Sequence, residues 1–232
     1  MGELPSPRIT PSPPFTHTGV DYAGPIQIRT TKGRGYKSYK GYIAVFVCLT
    51  TRAIHTEAVS DMTTEAFIAA SRRFVSRRGH MYSDNGTNFV GAHKILGGEV
   101  TSITSKPEVQ NALTVQGTQW HFIPPAAPHF GEIWEAGVKS IKHHLKRVIG
   151  DSTLTFEEFT TLLYQIEACL NSRLLIPISE DVTEEVITPG HFLIGRPIIA
   201  LLEERSHIHV NLSTRWKLVQ KMKNDEICCN RN

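Results

Sequence analysis

The sequence predicts an α/β domain: a five-stranded mixed sheet with helices on both faces. Three observations predict it. Residues 18–59 hold three strand-like runs joined by short links, the pattern of an antiparallel meander. Residues 63–123 then alternate helix with strand, which adds a fourth and a fifth strand in parallel. Residues 133–149 close the series with the longest amphipathic helix up to that point.

The 232 residues, 40% apolar and 20% charged, are enough to bury the core of one large domain. Lys and Arg number 25 against 22 Asp and Glu, a surplus of +3. So small a surplus does not argue for nucleic acid; only the placement of the charges does. Cys48, Cys169, Cys228 and Cys229 show neither Cys-x-x-Cys spacing nor a disulfide framework, which fits a reducing compartment. The start lacks the apolar run of a signal peptide and no run is long enough to span a bilayer. The chain reads as soluble and intracellular.

Residues 1–14 carry five of the thirteen prolines and read as an extended arm or linker. The first strand, 18–29, contains Asp21 among Val20, Tyr22 and Ala23, out of place in a strand unless it has a job. A Gly-rich basic hairpin connection follows at 30–40. Residues 42–49 are continuously apolar, as in a central strand covered on both faces. Residues 53–59 make the third strand.

Thr63 or Thr64 caps the next helix, whose stripe is Phe67, Ala70, Phe74 and Val75. Gly79 ends it, leaving almost no link before the fourth strand, 80–83. Such a link would strain the strand that leads into Asp84 and the Asn85-Gly86 turn. Helices are expected over 88–97 and 107–115, a fifth strand over 118–123 and a Pro-rich loop over 124–131. After the 133–149 helix, Thr155 to Glu158 form a capping box for a helix running to about 170. Residues 173–200 read as irregular, and 214–222 as one last helix before a polar tail.

In the 133–149 helix, Trp134, Val138, Ile141, Leu145 and Val148 form an apolar stripe. Glu135, Lys139, Lys142 and Lys146 form a second stripe about 100° around it. Glu135 therefore sits at the border of core and solvent, at the head of a lysine row. If the fourth strand runs beside the first, Asp21 and Asp84 meet at one sheet edge and Glu135 joins them. Three carboxylates at one site repel by roughly 4 kcal/mol per pair at 4 Å, so a cation must neutralise them. Hard oxygen donors point to two Mg²⁺ or Mn²⁺ ions, and the lysine row to a phosphate backbone.

These motifs resemble the integrase catalytic core of retroviruses and LTR retrotransposons, nearest to the Pao/Bel type. The resemblance rests on Gly19-Val-Asp-Tyr-Ala-Gly-Pro25, on Tyr82 to Gly91, and on Pro128 to Lys142. Leu170-Asn-Ser-Arg173 and Thr188 to Pro197 extend it. It implies an RNase H-like fold and an Asp-Asp-Glu metal site of Asp21, Asp84 and Glu135. It also implies trimming of the element's DNA and attack of the new 3′-hydroxyl on target DNA. Lys139, Lys142 and Lys146 would contact DNA, and a homo-oligomer would do the work. That work is done in the nucleus, or otherwise in the element's cytoplasmic particle.

The resemblance divides the chain into an arm at 1–14, a catalytic domain at 15–200 with its core ending near 172, and a truncated segment at 201–232. Glu132 stands where the family usually has a glycine, and competes with Glu135 for the third ligand position. The family's upstream zinc-binding domain is missing and the end, from Glu226, departs from the pattern, which reads as a fragment or a decaying copy. The rival readings are a catalytically silent DNA-binding remnant and an RNase H-type nuclease.

Overall fold

The computed structural model describes residues 5–33, 35–74, 79–103, 119–124, 131–150, 152–177 and 186–198. Strands β1 (His17–Arg29), β2 (Ser38–Cys48), β3 (Ile54–Val59), β4 (His80–Ser83) and β5 (Gln119–Phe122) line up in the order β3-β2-β1-β4-β5. β2 and β3 are antiparallel, with Tyr42 opposite Val59 and Val47 opposite Ile54. β4 is parallel to both β1 and β5. This is the mixed α/β sheet expected of an RNase H-like core.

Two compact units share the chain: Met1–Gly24 with Tyr42–Lys139, and Pro25–Gly41 with Ser140–Asn232. In the first, the two sheet faces carry different helices. Phe46 and Tyr22 turn to one face, where Phe46 stacks on Phe74 at 4.2 Å and Tyr22 on Phe89 at 5.5 Å. Phe67 and Phe74 come from α2 (Thr64–Phe74), and Phe89 from α3 (Thr87–Ile103). Thr63 is the cap of α2, its hydroxyl accepting the Ala66 N–H at 3.2 Å. The other face carries α4 (Glu132–Ile149), whose Gly137 lies against Val47. Ile43 to Cys48 are buried without interruption, because both faces of β2 are covered.

The second unit adds what the sequence did not show. β6 (Leu154–Thr155) runs parallel to the end of β1, pairing Ile28 with Leu154. It is a sixth strand among the described residues, too short to give a periodicity. The capping box forms as expected: the Thr155 N–H donates to Glu158 at 2.9 Å, and the Thr155 hydroxyl accepts the Glu158 N–H. It starts α5 (Phe156–Asn171), which buries Phe159, Leu162, Leu163 and Ile166.

Two expectations are corrected. Residues 173–200 are not wholly irregular: β7 (Ile176–Pro177) pairs with β8 (Val186–Ile187), and α6 (Pro189–Ile194) follows. Pro189 opens that helix because its missing N–H is not needed there. The arm is not wholly extended either. A one-turn helix α1 (Ser6–Ile9) begins around Pro7, and the Thr50 hydroxyl donates to the Pro7 carbonyl.

The strand leading to Asp84 is regular. β4 keeps register with both neighbours, and the His80 N–H donates to the Thr16 carbonyl at 2.7 Å. A Cβ at Gly79 would stand 2.9 Å from the Thr16 carbonyl carbon, so only glycine lets the backbones approach this closely. The expected helices at 107–115 and 214–222, Val75, and residues 201–232 lie outside the described residues. Among the described residues, no helix is long and apolar enough to cross a membrane.

Candidate active site

Register brings the strands that carry two of the three acids together. Gly19 on β1 pairs with Tyr82 on β4, the last step of that ladder. Asp21 lies two residues further along β1, and Asp84 follows directly after Ser83, the last residue of β4. Tyr22 packs on Phe67 and Phe89, so Asp21 turns to the opposite side of β1, where α4 lies. Ser83 accepts the Trp120 indole N–H at 2.9 Å on the α2 and α3 side.

Three hydrogen bonds fix the turn at Asp84. The Ser83 hydroxyl donates to the Asp84 carbonyl, Asn85 donates to the Ile123 carbonyl, and the Gly86 N–H donates to Asp84 Oδ1 at 2.9 Å. A Cβ at Gly86 would lie 2.8 Å from Asn88 Oδ1 and 3.0 Å from Asp84 Oδ1, so a larger residue there would displace those two side chains. Asp84 is exposed. Asp21 is half-buried, and its Oδ1 accepts the Tyr22 N–H at 2.6 Å.

Glu135 arrives through its neighbour. Gly19 has no side chain, and the Trp134 ring occupies the space: a Cβ there would be 2.8 Å from Trp134 Cδ2. The first turn of α4 therefore lies over the part of β1 that immediately precedes Asp21. Trp134, Val138, Ile141, Leu145 and Val148 are all buried, and Glu135, Lys139, Lys142 and Lys146 are all exposed, as the two stripes required. Glu132 is exposed too, but lies about 160° from Trp134 around the helix, against about 100° for Glu135. Helix phase therefore favours Glu135. Among the described residues, no three His, Cys, Asp or Glu side chains converge closely enough to hold a metal ion.

The same sheet face carries a ring cluster the sequence did not single out. His17 stacks on His80 at 4.6 Å, His80 Nδ1 meets His121 Nε2 at 3.0 Å, and His17 Nδ1 meets the Tyr82 hydroxyl at 3.1 Å. The alternation was there to read: His17-x-Gly19 and His80-x-Tyr82 stand level once β1 and β4 pair. Burial, then the charge of His80, holds the His121 imidazole below its ordinary value. Burial, then His80 and His121, does the same for His17. A folded-state value below the unfolded one means stability is full above about pH 6.5 and is lost as the pH falls below it. The melting temperature should drop by a few degrees from about pH 7.5 to 5.5. Replacing His121 by Phe should flatten that drop, and an already flat parent curve would remove the cluster from the pH response.

No family model matches the chain, and no curated protein matches it in sequence. Its fold, by contrast, is found among solved structures. One similar chain belongs to the cryo-EM structure of the simian T-cell lymphotropic virus intasome in complex with PP2A regulatory subunit B56 gamma. The similarity covers 89% of this chain and 64% of that one, at 14% identity and a TM-score of 0.52. The chain thus spans less than two thirds of that relative's length. At this identity the likeness shows a shared fold alone.

Proposed function

We propose that this chain is the catalytic core of a retroelement integrase, nearest the Pao/Bel type, joining 3′ ends of element DNA to target DNA. One observation supports the reading: Trp134 fills the space at Gly19, which sets the first turn of α4, and with it Glu135, over β1 just before Asp21, while β4 runs parallel beside β1 and ends directly before Asp84. Asp21, Asp84 and Glu135 are the acids that the resemblance assigns to the metal site. Their donor set is all oxygen, exposed or half-buried, which suits Mg²⁺ or Mn²⁺. When bound, a pair of such ions supplies the Lewis acidity that phosphoryl transfer needs.

The residues of the chain do the remaining work. Asp21, Asp84 and Glu135 would hold the ions, and the Gly86 N–H fixes Asp84 Oδ1 within its turn. Lys139, Lys142 and Lys146 line one exposed face of α4 and follow a DNA backbone from Glu135 onward. Likeness to a chain of a viral intasome supports double-stranded DNA and further copies of this chain as partners.

A strand-transfer assay with Mn²⁺ and a duplex ending in a recessed 3′-hydroxyl tests this. Glu135→Gln should lose activity about a hundred-fold or more, and Glu132→Gln should stay within a few-fold of the parent. The reverse order would move the third ligand to Glu132. An inactive parent that still binds duplex would favour the silent DNA-binding remnant.

A further inference from the structure

The connection between β1 and β2 is built around a buried arginine. Arg29 is 9% exposed, at the end of β1 where it pairs with Thr155 of β6. Its Nε donates to the Thr31 carbonyl at 2.7 Å, and its Nη2 to the carbonyls of Gly33 at 2.7 Å and Lys32 at 3.3 Å. The guanidinium also lies 3.7 Å from the centre of the Tyr36 ring, and the Tyr36 hydroxyl meets that of Thr153 at 3.3 Å. The Thr30 N–H closes the base of the loop on the Lys37 carbonyl at 2.9 Å.

Three successive carbonyls thus point inward at one cation. In a trans peptide the N–H that follows a carbonyl points the opposite way. The N–H groups of Lys32 and Gly33 are therefore turned outward, and among the described residues neither finds a protein acceptor. A Cβ built on Gly33 meets nothing within 4 Å, so its side of the backbone is open. Consecutive outward N–H groups form an anion-binding concavity. Lys32 and Lys37 of the same connection and Lys40 at the start of β2 are all exposed, and residues 30–41 contain no acid. The carboxylate of Glu157 on α5 is felt at Tyr39, on the side of the hairpin nearer β2.

We propose that this loop is a second contact to the DNA backbone, taking a phosphate between the Lys32 and Gly33 N–H groups and the ammonium groups of Lys32 and Lys37. It extends the DNA reading given above and rests on it. The loop is distinct from the lysine face of α4. It is set in advance by Arg29, so it binds without first paying to order a flexible tip.

The test is binding of the full chain to a fluorescent random-sequence DNA duplex across a salt series, without divalent metal, so that catalysis does not enter. Gly33→Ala keeps both N–H groups and should bind like the parent. Gly33→Asp puts a carboxylate into the open space with no packing cost, and should weaken binding about tenfold. Leu174→Asp, at a side chain 70% exposed, makes the same change in net charge and should leave binding within about two-fold. Lys32→Ala combined with Lys37→Ala should lower the steepness of log K against log salt by about 0.9 to 1.8. Gly33→Asp binding like the parent, or no better distinguished than Leu174→Asp, overturns the loop assignment and leaves the α4 face standing. A parent that does not bind duplex at all overturns both.

Discussion

Asp84→Asn is expected to cut Mn²⁺-dependent strand transfer about a thousand-fold or more while leaving the melting temperature unchanged. The rate effect rests on the proposed role of Asp84 as one of three anionic ligands: losing a metal's charge stabilisation of the transition state costs several kcal/mol, and each 1.36 kcal/mol is tenfold. Preservation of the fold follows from the turn. Asp84 is exposed, and its structural role is to accept the Gly86 N–H through Oδ1. Asparagine keeps that oxygen in place and removes only the charge. Parallel measurements of strand transfer, thermal melting and duplex affinity separate the outcomes. Equal activity in parent and variant would end the two-metal reading, and a large fall in melting temperature would make Asp84 a structural residue instead.

Gly19→Ala is expected to destabilise the protein by roughly 2 kcal/mol, or about 4–8 °C in melting temperature, and to depress strand transfer as well. The methyl group would enter the Trp134 ring, and neither β1 nor the aromatic ring can give way cheaply in a packed layer. Relief requires α4 to lift, which carries Glu135 away from β1 and Asp21. A double-mutant cycle identifies the contact. Trp134→Leu alone leaves a cavity and costs stability, yet in the Gly19→Ala background it also removes the overlap. The double variant should therefore melt close to Trp134→Leu alone. Independent, additive losses would show that the two residues do not touch.

Much of the sheet was legible because its signals are long or periodic. The continuous apolar run of β2, the helical stripes of α2 and α4 and the Thr155 capping box each have a physical cause that acts within a dozen residues. The Asp-Asn-Gly turn is local as well. What escaped depends on pairs distant in sequence. β6 has two residues and exists only because the end of β1 offers it a ladder. Trp134 looked like an ordinary core residue, since its meaning lies in the absence of a side chain at Gly19, more than a hundred positions earlier. Arg29 ends the first strand in the sequence, and only the folded loop shows it buried under the carbonyls of Thr31, Lys32 and Gly33. For the candidate site, the residue types at Asp21, Asp84 and Glu135 were readable. The pairing of β1 with β4 and the seat of Trp134 at Gly19 were not, because both depend on residues distant in sequence.

That register has a consequence for length changes as opposed to substitutions. β4 has only four residues between the Gly79 pinch on Thr16 and Asp84, so the pinch and the turn act as two ends of a short gauge. Inserting one residue between them reverses the parity of the strand. Inserting two restores the parity but carries Asp84 about 6.6 Å further along the strand direction. A change of length in β4 is therefore expected to disturb Asp84 more than a change of side chain there, which activity of insertion variants would check. The spacing between a glycine and an aspartate is thus a heritable dimension of the site in its own right.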